Sequence, residues 1–270
     1  GALLGAGLAG GARRRPNIVI IYADDMGWKD LACTGSTYHR TPHADRLAAE
    51  GMMFTRGYAA APLCSPSRGA LLSGKYPART KLTTVWDSGE QPVDERLLEV
   101  SKPILNTMIR KGNAQVREGL QRHALARSEY TFAEALQDAG YRTAHIGKWQ
   151  VGGQPGSRPQ ERGSEEASGY WNTPEGSSGH FGRDFGGHLV GFEDMKDDDF
   201  ASDVLTDRAV EFLGRQRAER PFLMMLSHYA VHNPMKAKAA DIEMFRKLPA
   251  SDHWNPVYAA LVKSVDDSVG

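Results

Sequence analysis

A cysteine and an arginine stand close together in the segment PLCSPSRGALLSG, residues 62–74. Ser65-Pro66 is typical of the start of a helix, and Gly74 is typical of its end. Cys64 would then stand just before the helix, where free backbone N–H groups and the helix dipole favour an anion. Arg68, one turn further on, can offer forked donors to an oxyanion. The spacing indicates a thiolate or anion site, with a buried cysteine beside a surface arginine as the structural alternative.

An acidic pair, Asp24 and Asp25, directly follows the apolar run NIVIIYA at residues 17–23. The run predicts a buried strand, and open α/β sheets bind ligands at the carboxyl ends of their strands. Adjacent carboxylates repel each other unless a hard cation neutralises them. The pair is therefore a candidate metal site, although such a pair without other support is usually a solvated turn.

The elements that must position these residues alternate between strands and helices. Residues 141–146 are predicted to form another strand, and the strongly apolar run at 221–227 predicts a further one. Start and stop signals predict helices at residues 41–51, 65–74, 131–140, 202–217 and 256–265. The alternation favours an α/β fold with a mostly parallel (mixed) sheet and helices on both faces.

Two stretches interrupt this alternation. Residues 86–130 are polar and mostly compatible with helix, whereas residues 152–188 are rich in Gly, Ser and charge and predict a long loop.

The charge balance and the cysteine count narrow the classes of function. Lysine plus arginine and aspartate plus glutamate each number 33, so the formal net charge is zero. Long-range attraction to nucleic acid or a membrane surface is therefore not expected. The two cysteines are too few for a disulfide scaffold, and Cys33 is expected to be an ordinary buried thiol.

The segment around Cys64 resembles the signature of the sulfatases, a family of the alkaline phosphatase superfamily. The resemblance implies that a maturation enzyme oxidises Cys64 to formylglycine, and that Arg68 and calcium activate the hydrated formylglycine. Residues 16–27, PNIVIIYADDMG, are similar to the opening strand of the family. By that similarity Asp24, Asp25 and residue 64 are expected to bind Ca²⁺. Ser73 is a mild departure from the usual signature.

The segment GYRTAHIGKWQ, residues 140–150, resembles the second signature of the family. The resemblance gives Lys148 the role of holding the sulfate. Gln150 stands where the family has a histidine, and an amide cannot carry a proton at neutral pH. His145 is nearby, but its spacing and its expected strand face indicate a structural role.

The segment HYAVHNP, residues 228–234, resembles the family segment whose histidine contacts the ester. His232 matches that histidine and His228 does not. In the mechanism that the family implies, a hydrated formylglycine attacks sulfur, the alcohol leaves, and the remaining hydroxyl expels sulfate. Two other functions stay open: a phosphonate or phosphodiester hydrolase of the same superfamily, and a non-catalytic binder of sulfated ligands.

The organisation of the chain follows from these matches. Residues 1–15 are expected to be a leader or a signal-peptide remnant, and residues 16–270 a catalytic domain that is incomplete at its carboxyl end. The further metal ligands of the family are expected beyond Gly270, and Asp266 and Asp267 are not assigned that role. A secreted, periplasmic or lysosomal location is expected, with a small-molecule or polysaccharide sulfate ester as substrate.

Overall fold

The computed structural model describes residues 15–85, 124–153, 155–171 and 179–270. Almost all of the predicted leader and most of the predicted stretch 86–130 lie outside these residues. The described strands are β1 (Ile18–Tyr22), β2 (Arg142–Gly147), β3 (Glu166–Ser168), β4 (Tyr170–Trp171), β5 (Leu189–Val190) and β6 (Phe222–Ser227). The described helices are α1 (Pro42–Glu50), α2 (Cys64–Ser73), α3 (Pro77–Thr80), α4 (Phe132–Asp138), α5 (Gly182–Phe185), α6 (Ala201–Gly214), α7 (Ala239–Arg246) and α8 (Pro256–Val269).

Four strands form one sheet in the order β1-β6-β2-β3, and every pair in it is parallel. The central strand β6 places Met225 opposite Ile20 of β1 and Met224 opposite Ala144 of β2. All residues of β6 are buried, as expected for a strand that is covered on both faces. The predicted α/β fold is confirmed. Among the described residues, antiparallel strand pairing occurs between β4 and β5, which form a separate small sheet.

Helices cover both faces of the main sheet. Successive residues of a strand point to opposite sides, so the apolar side chains of β6 need a packing partner on each face. On one face, Leu205 and Phe212 of α6 pack with Met224. On the other face, Leu72 of α2 packs with Met225. The helix α8 packs against α1, α6 and α7 and contributes much of a third apolar cluster. None of the described helices is both long and apolar enough to cross a bilayer.

The start of α2 differs from the prediction. The helix begins at Cys64, and Leu63 is its extended cap residue without a side-chain cap bond. Pro66 is therefore the third helical residue, not the first, which is compatible with proline because first-turn N–H groups have no partner within the helix. Cys64 consequently lies within the first turn of α2 and not in front of it.

The other predicted helices agree in position but differ in detail. The helix α1 starts at Pro42, but the Thr41 hydroxyl accepts a hydrogen bond from Ala32 N at 2.8 Å and does not cap the helix. The helix α6 ends at Gly214, earlier than the predicted residue 217. The helix α8 runs to Val269, and Asn255 Oδ1 caps its start.

The prediction of a long loop at 152–188 was wrong for those of its residues that the structure describes. It contains a 3₁₀ turn at Pro159–Arg162, the strands β3 and β4, and α5. These elements are two to four residues long, which is too short to establish a periodic pattern in the sequence. The strand β3 pairs with β2, so tertiary pairing decides its conformation.

Candidate active site

The predicted site residues meet where β1, β2 and β6 end and α2 begins. Asp24 and Asp25 follow β1, Lys148 follows β2, and His232 lies in the segment after β6. Because parallel strands end at the same edge of a sheet, residues distant in sequence converge there. The glycine at the end of β2 allows the backbone of β2 to lie directly against the carbonyl group of Ser227 at the end of β6. Gly147 has φ +101°, and a Cβ there would lie 2.0 Å from the Ser227 carbonyl oxygen.

Asp24 is a buried carboxylate between two cations. Arg68 Nη2 donates to Asp24 Oδ1 at 2.9 Å, and Lys148 Nζ donates to Oδ2. Burial alone would raise the pKa of Asp24, but the charges of Arg68 and Lys148 and their hydrogen bonds outweigh it and hold the pKa below its usual value. Asp24 is therefore ionised at neutral pH and fixes the positions of both cations.

Arg68 is directed into the protein and not towards a ligand. Its side chain is 1% exposed. Besides the bond to Asp24, Nη1 donates to the Lys148 carbonyl at 2.6 Å and to Ser227 Oγ at 2.7 Å. The guanidinium lies over the Tyr22 ring, 4.8 Å from its centroid. The forked donors expected for an oxyanion are thus used to join α2 to the ends of the strands.

Cys64 lies at the centre of the charged groups. Its sulfur is 3.7 Å from Asp24 Oδ2, 3.9 Å from Asp25 Oδ1 and 3.8 Å from Lys148 Nζ. Burial raises the pKa of the Cys64 thiol, and the effect of the two carboxylates adds to it against the opposing charges of Lys148 and Arg68. An unmodified thiol in this position is therefore largely protonated at neutral pH and is a weak nucleophile.

Asp25 and His232 form the exposed side of the site. His232 Nε2 lies 3.6 Å from Asp25 Oδ2, and Asp25 has the left-handed φ of +60°. His232 Nδ1 lies 2.6 Å from the Asn233 carbonyl oxygen, which can only accept, so Nδ1 carries the proton. The Nε2 atom therefore faces Asp25 and the open side, where it can exchange a proton with a ligand.

The remaining polar residues of the signature segments lie deeper in the protein. The Gln150 Oε1 atom is buried without a hydrogen-bond partner among the described residues. Burial, with a smaller effect of the Arg68 charge, lowers the pKa of His145 to about 3. The His145 ring lies edge-on to Trp149, with ring centroids 4.9 Å apart. His145 is therefore a neutral packing residue in the interior.

The sequence did not predict two contacts of the site. Ser227 accepts a hydrogen bond from Arg68, and its place as the last residue of β6 is a signal that could have identified it. The buried His180 places Nε2 2.7 Å from the carbonyl oxygen of His232. His180 lies in a glycine-rich segment, and nothing in its sequence context indicates this contact.

The donor set is compatible with part of a calcium site. Two carboxylates from adjacent residues face the atom that residue 64 presents, and hard oxygen donors are what Ca²⁺ prefers. Asp24, Cys64 and His232 each place a potential ligand atom within 4.8 Å of the others. Calcium takes about 6–8 oxygen ligands, so these residues could supply only part of its coordination. The contact of Lys148 with Asp24 Oδ2 would also have to lengthen when a cation binds.

Comparison with known proteins gives the same family along almost the whole chain. The family model described as Sulfatase matches residues 16–270. The N-acetylgalactosamine-6-sulfatase of Mus musculus is 31% identical over 97% of this chain and 47% of its own length. The steryl-sulfatase of Mus musculus is 41% identical over 53% of this chain and 19% of its own length. The chain thus spans about half the length of the first of these relatives.

Solved structures share the fold. The crystal structure of Ps i-CgsB has a TM-score of 0.70 at 26% identity, covering 94% of this chain and 53% of its own. The phosphonate monoester hydrolase of Agrobacterium radiobacter has a TM-score of 0.58 at 18% identity, covering 95% of this chain and 58% of its own. This second likeness concerns the fold alone.

Proposed function

Because the chain belongs to the sulfatase family, we propose that the protein hydrolyses a sulfate monoester at the centre containing Cys64, Arg68, Lys148 and His232. The observation that supports this most directly is the position of the Cys64 sulfur. It lies within 4 Å of Lys148 Nζ and of both aspartate side chains, with distances of 3.8, 3.7 and 3.9 Å. The residue proposed as nucleophile, a cation that could bind the sulfuryl oxygens and two carboxylates that could bind a metal thus lie together.

The cofactors of the proposal are formylglycine, made from Cys64 by a maturation enzyme, and Ca²⁺. Formylglycine supplies an oxygen nucleophile in place of a thiol, and calcium supplies a Lewis acid next to it. Asp24 and Asp25 would hold the metal together with residue 64. Without a metal, the negative charges of Asp24 and Asp25 cancel the positive charges of Lys148 and Arg68. A bound divalent cation would give the centre a net positive charge that attracts an anion.

The remaining tasks fall to residues of the chain. The Lys148 ammonium would bind a sulfuryl oxygen and stabilise the negative charge that develops on it. With both ring nitrogens protonated, His232 would donate the Nε2 proton to the leaving alcohol and keep the Nδ1 proton, which the Asn233 carbonyl accepts. Arg68 would act indirectly, by fixing Asp24 and the Lys148 backbone.

A sulfated carbohydrate is the proposed substrate class. Its support is the name of the 31% identical relative, an N-acetylgalactosamine-6-sulfatase. A structure titled Ps i-CgsB in complex with k-i-k-neocarrahexaose adds to it, at 25% identity and a TM-score of 0.70. Steryl sulfate is the alternative suggested by the match to steryl-sulfatase. The secreted, periplasmic or lysosomal location stays a prediction.

The test is sulfate release by the full-length protein, produced together with a formylglycine-generating enzyme. Substrates are 4-nitrophenyl sulfate, sulfated galactosamine and glucosamine, steryl sulfate and a phosphodiester. We expect Cys64→Ala to abolish turnover because it removes the nucleophile, and Lys148→Ala to lower it about 10²–10³-fold, as loss of one oxyanion donor does. Mass spectrometry should find the aldehyde at residue 64.

The controls are residues of the same types elsewhere. Cys33 is a half-buried free thiol, and Lys247 is an exposed lysine. The variants Cys33→Ala and Lys247→Ala should keep wild-type rates. Turnover that survives Cys64→Ala would contradict the proposal. Preference for the phosphodiester, or binding of sulfated sugars without turnover by protein that carries the aldehyde, would support the alternative functions instead.

A further inference from the structure

A second group of metal-ligating side chains lies outside the Cys64 centre. Asp30, His39 and His253 each place a potential ligand atom within 4.8 Å of the others. Asp30 and His39 are buried, and His253 is one-third exposed. The three residues come from the segment after β1, the segment before α1 and the segment before α8. The proposed sulfatase chemistry uses none of them.

His39 has a lone pair that the protein does not satisfy. Its Nδ1 atom lies 2.8 Å from the Asp30 carbonyl oxygen. Because a carbonyl only accepts, Nδ1 carries the proton and Nε2 carries the lone pair. The Nε2 atom is buried and has no hydrogen-bond partner among the described residues. A backbone carbonyl that fixes Nδ1–H is also the usual support of a histidine that binds a metal through Nε2.

His253 completes a pair of imidazoles on one carboxylate. Its ring stacks on that of His39, with centroids 4.3 Å apart and an interplanar angle of 23°. His253 Nε2 lies 3.5 Å from Asp30 Oδ1. The other oxygen, Oδ2, accepts hydrogen bonds from Gly27 N at 2.6 Å and from the Tyr258 hydroxyl. Asp30 is therefore oriented by Oδ2, while Oδ1 lies 3.5 Å from His253 Nε2 and 4.0 Å from His39 Nδ1.

A second carboxylate stands at the edge of the group. Asp252 Oδ2 lies 3.8 Å from His253 Nε2. Its other oxygen is held by the backbone amides of Thr37 and Tyr38 at 2.9 and 3.0 Å. The donors thus comprise two imidazole nitrogens and up to two carboxylate oxygens.

From this arrangement we infer that Asp30, His39 and His253 bind a divalent first-row transition metal, with Zn²⁺ as the best match and Asp252 as an additional ligand. Imidazole with carboxylate is a donor set that suits zinc, which prefers four ligands, whereas calcium prefers oxygen alone. Ligand atoms of a tetrahedral zinc site lie about 3.3 Å apart, so the loop that carries His253 must move inward. The His253 ring must also rotate out of its stack on His39, because the lone pairs of two stacked rings run nearly parallel. The ion would join three segments that are distant in the sequence.

Metal binding by untagged full-length protein tests this inference. The protein carries Cys64→Ser, so that the thiol of the other centre cannot compete for Zn²⁺. After metal removal, Zn²⁺ is added and the bound equivalents are measured by mass spectrometry of the metal, with Co²⁺ absorption as a probe of the ligand geometry. We expect one tight equivalent, weakened about 100-fold or more by His253→Gln or His39→Gln, because even loss of a group that only supports a ligand costs about 10–100-fold.

Three variants separate this site from other sites. His188→Gln replaces an exposed histidine, Asp25→Ala alters the Cys64 centre, and His43→Gln alters the group of His43, Asp266 and Asp267. Each should retain the tight equivalent. Zn²⁺ should also raise the melting temperature of the parent but not of His253→Gln. Equal zinc binding by the parent and by folded His253→Gln would overturn the inference, as would the absence of a tight equivalent in the parent.

Discussion

At the scale of single residues, Asp24 organises the candidate site. It binds both Arg68 and Lys148 in the interior, and removal of one partner from such a buried ion group typically costs about 3–5 kcal/mol. Arg68 in turn holds the Lys148 carbonyl and Ser227. The ionic contacts therefore fix the geometry around Cys64 before any ligand binds.

Gln150 is the residue whose replacement is most informative. It follows Lys148 by two positions, in the left-handed conformation at φ +55°. If it occupies the place of a proton-transferring histidine, Gln150→His should preserve or raise sulfate release. A positioned general acid or base contributes about 10²–10⁴-fold, which sets the upper limit of the gain. Initial rates across a pH series measure it.

The matched control is Gln137→His, which adds an imidazole on α4 away from the site. That variant should keep the rate and the pH profile of the wild type. A large loss of turnover in Gln150→His with an unchanged circular dichroism spectrum would show that the proposed place of Gln150 is wrong.

At the scale of elements, helix starts and strand ends position the chemistry. The helix α2 delivers Cys64 in its first turn and Arg68 one turn later, so one element supplies both. The helix α4 packs against β2, the strand that leads to Lys148. Its start is fixed by a capping box, in which Thr131 Oγ1 accepts from Glu134 N at 3.1 Å and Glu134 accepts from Thr131 N at 2.7 Å.

Loss of this cap should be measurable. Thr131→Ala should lower the free energy of unfolding by about 0.5–2 kcal/mol, because the Glu134 amide loses its acceptor. The Thr131 hydroxyl also bonds to the Arg162 carbonyl at 3.1 Å, which favours the upper part of that range. Urea denaturation provides the measurement, with exposed Thr55→Ala as control. Equal midpoints for the two variants would mean that the cap adds no stability.

At the scale of the whole molecule, folding buries His145 and His228, and burial favours the uncharged form of both imidazoles. Burial lowers the pKa of His228 from 6.5 to about 4. Neither ring nitrogen of His228 has a hydrogen-bond partner among the described residues. In the unfolded chain His228 therefore takes up a proton near pH 6.5, whereas in the folded protein it takes up the proton only near pH 4. Stability must then fall as the pH is lowered through that interval.

The variant His228→Leu should weaken this acid dependence. Its free energy of unfolding should decline by about 1–3 kcal/mol less than that of the wild type between pH 6.5 and 4. Denaturant titrations at several pH values measure the difference, and exposed His188→Leu serves as control. Identical acid dependence in the wild type and His228→Leu would contradict the assigned burial effect.

Local sequence determined the main strands, most helices and the residues that chemistry would use. The apolar runs at 17–23 and 221–227 predicted β1 and β6, and residues 141–146 were predicted to form the strand that is β2. The prediction of a buried strand is confirmed for β6 but was wrong for β1, which lies at the edge of the described sheet and leaves Val19 46% exposed. The resemblance of four segments supplied the site residues, and the structure brings Asp24, Asp25, Cys64, Lys148 and His232 together at one sheet edge. Their roles stay predictions, to be decided by the experiments above.

Tertiary structure alone decided the direction of Arg68, the existence of β3 and the meeting of Asp30, His39 and His253. An arginine one turn after a cysteine can reach either outward or inward. The Asp24 carboxylate, just after β1, and the Ser227 hydroxyl, at the end of β6, select the inward direction. The strand β3 is three residues long, so its conformation depends on pairing with β2 and not on local preference. His39 and His253 are separated by more than 200 positions, and no local pattern records a contact that only chain packing creates.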